Sequence, residues 1–305
     1  MGGGPEPPET NTAYQAIVNA FNQHPDQECR ARELHEILGM PTDEVSVNVT
    51  RARLDASSVK ASSEGTSEDV WSAWAGWHGW PEPTLPEGPV VVLAAHPDDE
   101  VLGFGGGTAA RLASAGREVH VVTVTDGEAS HPGSRQMPPP VLARRRREEL
   151  SEALDLLGVD RHRRHRLGLP DTEVAMHEPA LAQWIGELLR TSGATLCVGP
   201  WRGDLHADHE AVGRAGRTAA GRIVFWQYPV WMWHWAVPGS PQVPWQLCRR
   251  LSLAPAELAL KKSALRRFGT QIAPLADHPT LILPPEELAH HQRSFETVIV
   301  ETEPP

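Results

Sequence analysis

Residues 89–95 read Pro-Val-Val-Val-Leu-Ala-Ala, a run apolar at every position. A strand with one wet face would alternate apolar and polar residues, so an unbroken run of this length fits a strand buried on both faces, as in a parallel sheet. Four further strands are read after it: EVHVVTVT at 118–125, the short RHRLGLP at 164–170, the apolar TLCVGP at 195–200 and RIVFWQYPV at 222–230. Stretches with helical spacing separate them, namely 107–116, 143–158, 179–193 and 206–220, several closed by glycine. Repeated βα units predict an α/β fold, a Rossmann-like, mostly parallel sheet with helices on both faces. Ligands in such folds sit beyond the carboxyl ends of the strands.

Toward the N-terminus the pattern changes. Residues 1–11 read as a disordered tail, and residues 12–65 as a small helical module with a helix-turn-helix-like, winged-helix-like character around Gly39-Met40-Pro41. Residues 66–88 read as a linker and residues 89–305 as the main domain. Arg51 and Arg53 lie on the module's second helix, yet residues 12–70 hold five Lys/Arg against ten Asp/Glu, a net −5 that argues against nucleic acid as a partner. Docking or dimerisation suits the module better.

The whole chain points the same way. Its 305 residues carry 28 Lys+Arg against 39 Asp+Glu, net −11, the wrong sign for a polyanionic partner. Three scattered cysteines, Cys29, Cys197 and Cys248, make no disulfide framework or CxxC pair, which fits a reducing cytoplasm. No stretch reaches the roughly 18 apolar residues that would span a bilayer, so no membrane role is expected. The composition leaves room for a homo-oligomer.

Two motifs directly follow expected strands. AAHPDDE at 94–100 puts His96, Asp98, Asp99 and Glu100 in one tight loop, where three carboxylates would repel one another unless something positive held them. A divalent metal does so; a helix cap needs one such residue, not four. DLHADHE at 204–210 puts His206 and His209 one helical turn apart, with Asp208 able to reach an imidazole. Together they offer a His₂Asp set with a fourth position open, a recognised form of catalytic zinc site.

With these residues in place, the chain resembles the PIG-L/LmbE family of zinc-dependent N-deacetylases, whose signatures are AHPDDE and a downstream HxDH. The resemblance runs from about Val90 to about Val298 and includes TDGEAS at 125–130 and RREEL at 146–150. It implies that His96, Asp99 and His209 bind Zn²⁺, that Asp98 is the general base and then the proton donor, and that His206 stabilises the tetrahedral intermediate with Asp208 orienting it. The same ligands would accept Fe²⁺ or Co²⁺. The implied reaction hydrolyses the N-acetyl amide of an amino sugar or glycoside, a small-molecule substrate, in specialised metabolism. An amidase acting on a thiol-sugar conjugate would use the same chemistry, and a sugar-sensing DNA-binding regulator is the reading from another class.

For the substrate, Arg146 matches a family position that contacts ligand, and Glu128 and His131 on the loop after the second strand suit the rim of a pocket. The stretch 225–235, FWQYPVWMWHW, holds four tryptophans. Trp231 and Trp233 are expected to wall the pocket against a sugar or aglycone. Trp71, Trp74, Trp77 and Trp80 either extend that surface or pin the linker to the main domain.

Overall fold

The structure is a computed structural model that describes residues 65–301. The helical module expected over residues 12–65 and the N-terminal tail lie outside the described residues. A compact unit begins at Thr66. The elements run α1 (Glu68–Ser72), β1 (Val90–Ala94), α2 (Ala110–Ser114), β2 (Val119–Thr125), α3 (Pro139–Leu156), β3 (Arg164–Leu169), α4 (Glu178–Ser192) and β4 (Leu196–Pro200). They continue with α5 (Ala207–Ala220), β5 (Val224–Tyr228), α6 (Met232–Trp235), β6 (Cys248–Ser252), α7 (Pro255–Leu265), α8 (Gly269–Ile272), α9 (Pro285–His290) and β7 (Phe295–Val300).

The seven strands form one sheet in the order β3-β2-β1-β4-β5-β7-β6. β1 to β5 are parallel, as the repeated βα units predict, and β7 and β6 close one edge in antiparallel pairing. Every residue of β1 is fully buried, because helices cover both faces. One core layer packs Val90, Val92 and Val121 against Leu150 and Leu154 of α3; the other packs Val91, Leu93 and Val122 against Ile185 of α4 and Val212 of α5. The chain steps outward from β1 to β2 and β3, then crosses to β4 on the other side of β1. The reversal opens a crevice beyond the carboxyl ends of β1 and β4, where open α/β sheets bind ligands. Both sequence motifs fall there.

After the HPDDE loop the backbone does not enter an α-helix at once. Residues Val101–Ala109 form a wider π-helical segment, fully buried throughout. Its glycines allow close packing: a Cβ on Gly103 would lie 2.0 Å from the ring of Tyr228. A buried ion pair secures it from outside, with Glu296 of β7 accepting from the N–H groups of Gly107 and Thr108 and from Lys261 Nζ at 2.9 Å. Lys261 also donates to the carbonyl of Leu102.

Residues 66–88, read as a linker, are not a free connection. α1 and the turn after it carry Trp71, Trp77 and Trp80 into a third core with Met232, Trp233, Val243 and Cys248. Trp71 is fully buried, meets the Trp233 ring edge-on at 5.2 Å and donates through Nε1 to the Trp233 carbonyl. The Arg293 guanidinium lies 4.2 Å above Trp233 and 4.8 Å above Trp77, and Glu68 holds it through Nε at 2.8 Å. Four indoles close in sequence therefore serve as an apolar clamp, and the pinning alternative is the one the fold realises. Cys197 in β4 and Cys248 in β6 are both buried thiols. Burial pushes Cys248 up to about 12 and Cys197 higher still.

Candidate metal centre and catalytic loop

Three strand-end loops build the site. The loop after β1 supplies His96, Asp98 and Asp99; the loop after β3 supplies Asp171; the loop after β4 and the first turn of α5 supply Asp204, His206, Asp208 and His209. The three non-glycine residues with positive φ among the described residues are Asp98 (150°), Thr172 (74°) and Leu205 (58°), one in each of these loops. L-residues seldom occupy such conformations, and where they persist the surrounding contacts impose them.

His96 Nδ1, Asp99 and His209 Nε2 converge. His96 Nδ1 lies 3.2 Å from His209 Nε2 and 3.3 Å from Asp99 Oδ2, and His209 Nε2 lies 3.2 Å from Asp99 Oδ1. Ligands at about 2.0–2.1 Å on a tetrahedral ion would stand about 3.3 Å apart, so the donor set fits zinc. Charge agrees. Burial works to lower both imidazoles, but the carboxylates of Asp171, Asp208 and Asp99 outweigh it at His96, raising it well above the usual range. Asp99 and Asp204 do the same at His209, bringing it to about 9. Two imidazolium protons balance this buried carboxylate cluster, and a divalent cation carries the same charge. His206, stacked on His209 at 4.4 Å, offers a further nitrogen, and His96, His206 and His209 form a second possible ligand group.

The outer nitrogens are engaged as well. His96 Nε2 faces Asp171 Oδ1 and Asp208 Oδ2, each at 3.2 Å. These three residues could also hold an ion. With an ion bound, however, the ring would be neutral with one proton and one lone pair, and a lone pair on Nδ1 leaves the proton on Nε2 to donate to the two carboxylates. Asp208, expected to serve His206, accepts from the N–H groups of Thr172 (2.8 Å) and Val174 (3.2 Å) while facing His96. His209 Nδ1 meets Asp204 Oδ2 at 2.7 Å. Asp171 and Asp204 were not picked out from the sequence, because one Asp in a loop is ordinary turn chemistry. Only the position of Asp204 at the head of DLHADHE hinted at it.

Asp98 is 5% exposed. Burial raises its carboxyl to about 7 against the pull of the Arg146 guanidinium, with the Asp99 charge adding to the rise. Arg146, expected to touch substrate, is itself 3% exposed and turned to protein partners. It donates to the carbonyls of Gly127 and Pro97, each at 3.0 Å, and to Asp98 Oδ2 at 3.2 Å. It therefore fixes the HPDD loop and the carboxylate of Asp98. Gly127, at φ 65°, is where the backbone comes against the guanidinium; a Cβ there would overlap Nη1.

Glu128 accepts from the N–H of Asp171 at 3.1 Å and so joins the loops after β2 and β3. His131 is buried against His278, with ring centroids 4.8 Å apart. Trp231 remains partly exposed. Trp233, expected to wall the substrate pocket, is 3% exposed, with Trp71 edge-on against its ring and the Arg293 guanidinium over it.

Fold and site together define a doubly wound α/β protein with a buried His/Asp cluster at its topological switch point that could hold a metal ion. Residues 91–220 match the family model described as PIG-L: GlcNAc-PI de-N-acetylase. A 1D-myo-inositol 2-acetamido-2-deoxy-alpha-D-glucopyranoside deacetylase from Kineococcus radiotolerans is 42% identical over 77 residues, 24% of this chain. That match spans 21% of the relative's length. Among solved structures, the A40926 pseudoaglycone deacetylase Dbv21 superposes with a TM-score of 0.53 at 22% identity, over 69% of this chain and 96% of that one. GalB, a 4-carboxy-2-hydroxymuconate hydratase from Pseudomonas putida KT2440, gives 0.52 at 14% identity, over 72% and 97%. A deacetylase and a hydratase thus share this fold with the chain, and the fold alone does not choose between their chemistries. Among the described residues no helix is long and apolar enough to cross a membrane.

Proposed function

We propose that the protein is a metal-dependent N-deacetylase that hydrolyses the N-acetyl amide of an amino sugar or a glycoside bearing one. The convergence of His96, Asp99 and His209 within 3.3 Å, beside a buried Asp98, carries this reading. The acetamido-glucopyranoside named for the Kineococcus relative supports a sugar substrate.

His96 Nδ1, Asp99 and His209 Nε2 would hold the ion. Bound zinc supplies Lewis acidity, which polarises the amide carbonyl and brings water's proton loss near neutral pH. Asp98 accepts the proton of the attacking water, and Arg146 keeps that carboxylate aimed. His206 donates a hydrogen bond to the oxygen that gains charge as the carbonyl carbon becomes tetrahedral. Asp98 then returns the proton to nitrogen as the C–N bond breaks, so acetate and a free amine leave. The strained turn at Asp98 is imposed before substrate arrives, so its carboxylate needs little rearrangement to act.

The test is amine release from a panel of N-acetylated sugars and glycosides, with zinc-loaded and chelator-stripped protein side by side. Release that stops on stripping and returns with added zinc is the expected result. A zinc-loaded protein inert on the whole panel would sink the deacetylase reading, and turnover that survives stripping would sink its metal dependence.

A further inference from the structure

We infer that Asp204 is a positioning residue for the metal centre: its carboxylate holds His209 in the tautomer that presents Nε2 to the ion and ties that ring to the backbone at residues 230–232. The inference rests on the reading of His96, Asp99 and His209 as zinc ligands.

Asp204 is fully buried. Its Oδ1 accepts from the N–H groups of Val230 (3.0 Å) and Met232 (2.9 Å). Its Oδ2 accepts from the N–H of Trp231 (2.9 Å) and faces His209 Nδ1 at 2.7 Å. A carboxylate offers about four lone-pair sites, and four donors meet this one. Three are backbone amides on a turn that cannot follow a rotating side chain, so the carboxylate is the fixed member of the pair. The His209 ring, joined to α5 by rotatable bonds, is the one that conforms.

The contact also sets where the proton sits. An acceptor-only carboxylate at Nδ1 requires that nitrogen to carry the hydrogen, which leaves the Nε2 lone pair pointing at Asp99 Oδ1 and His96 Nδ1, both at 3.2 Å. His96 is held differently: two carboxylates, Asp171 and Asp208, face its outer nitrogen, so losing one leaves the other. At His209 one carboxylate does this work and also gathers the first turn of α6. A simple helix cap would need only the amide contacts. The fourth, to the imidazole of a ligand, has no capping use.

The experiment is competition for zinc between a chromophoric chelator and the full-length protein, wild type against Asp204→Asn, with folding followed by far-UV circular dichroism. Asparagine keeps the shape, but its amide group turns donors toward donors. The expected result is a fall in zinc affinity of about 10–100-fold in a folded variant, with a changed visible spectrum of the cobalt-substituted protein. A folded variant whose zinc affinity stays within about threefold of wild type, merely melting at lower temperature, would reduce Asp204 to a cap and overturn the inference. Wild type that takes up no zinc would overturn the metal reading itself, a different outcome from the first. Should Asp204→Asn not fold, ¹¹³Cd-substituted wild type decides. Cadmium–nitrogen coupling to His209 at Nε2 with a protonated Nδ1 supports the inference, and coupling at Nδ1 overturns it.

Discussion

Two parts of this molecule are dense in residues that attract attention, and they do opposite things. At the carboxyl ends of β1, β3 and β4, three histidines and five aspartates crowd together, with His96 Nδ1, Asp99 and His209 Nε2 converging on one space. Around α1 and α6, Trp71, Trp74, Trp77, Trp233 and Trp245 also crowd together, but there each ring is covered by another ring or by Arg293. The first group sets buried carboxylates against imidazoles, a donor set that a divalent cation fits. The second packs apolar rings on one another. Rarity of residue type does not mark a site; convergence of titratable groups in one buried space does.

The comparison can be broken most directly at Asp98. Asp98→Asn is expected to lower kcat for deacetylation about 10²–10⁴-fold while zinc content, measured by atomic absorption, stays at the wild-type level. Full activity in that variant would remove the base from the catalytic loop. His206→Ala comes next, with an expected loss of about 10²–10³-fold in kcat and unchanged zinc affinity, as for loss of one oxyanion donor. A large fall in zinc affinity would instead make His206 a ligand and redraw the centre around three histidines.

On the tryptophan side, Trp233→Ala should cost about 3–5 kcal/mol of stability in urea unfolding, with kcat/KM per folded molecule unaltered. A selective rise in KM at unchanged stability would restore Trp233 to a substrate wall and collapse the distinction. The smallest effect concerns Glu68, whose carboxyl falls from 4.5 to about 2: burial opposes the shift, but hydrogen bonds from His290 and Arg293 and their charges outweigh it. A depressed carboxyl gives stability that is fully present above pH 4.5 and lost as pH falls from 4.5 toward about 2. Across that window the wild-type melting temperature should drop more steeply than that of Glu68→Gln; parallel curves would show that the clamp on α1 owes nothing to this charge.

Legibility in the sequence follows from how local each signal is. Of the five parallel strands, β3 (RHRLGL), buried nowhere along its length, was legible only by its place in the alternation of strands and helices; the other four could be read because burial writes apolar residues into contiguous positions. β6 (CRRLS) and β7 (FETVIV) could not: β6 is an edge strand whose arginines reach outward, and β7 gives up an inward position to Glu296, which exists to hold Lys261 and the π-helical segment. The π-helix itself follows from how closely Gly103 meets Tyr228, a contact across 125 residues of chain. HPDDE and HADHE were visible as whole motifs. Arg146 was visible as a residue, but its contacts with the carbonyls of Pro97 and Gly127 were not, since these carry no sequence signature at all.

The deep placement of Cys197 in the central strand β4 and of Cys248 at the sheet's far edge also gives the protein an internal clock. Neither thiol can meet an alkylating reagent while the sheet is closed, because both are buried and both resist ionisation. The rate at which mass tags accumulate on the Cys248 peptide reports release of the antiparallel edge, and the rate on the Cys197 peptide reports opening of the whole sheet. The interval between the two would time how far the edge comes away before the half that carries the His/Asp cluster does.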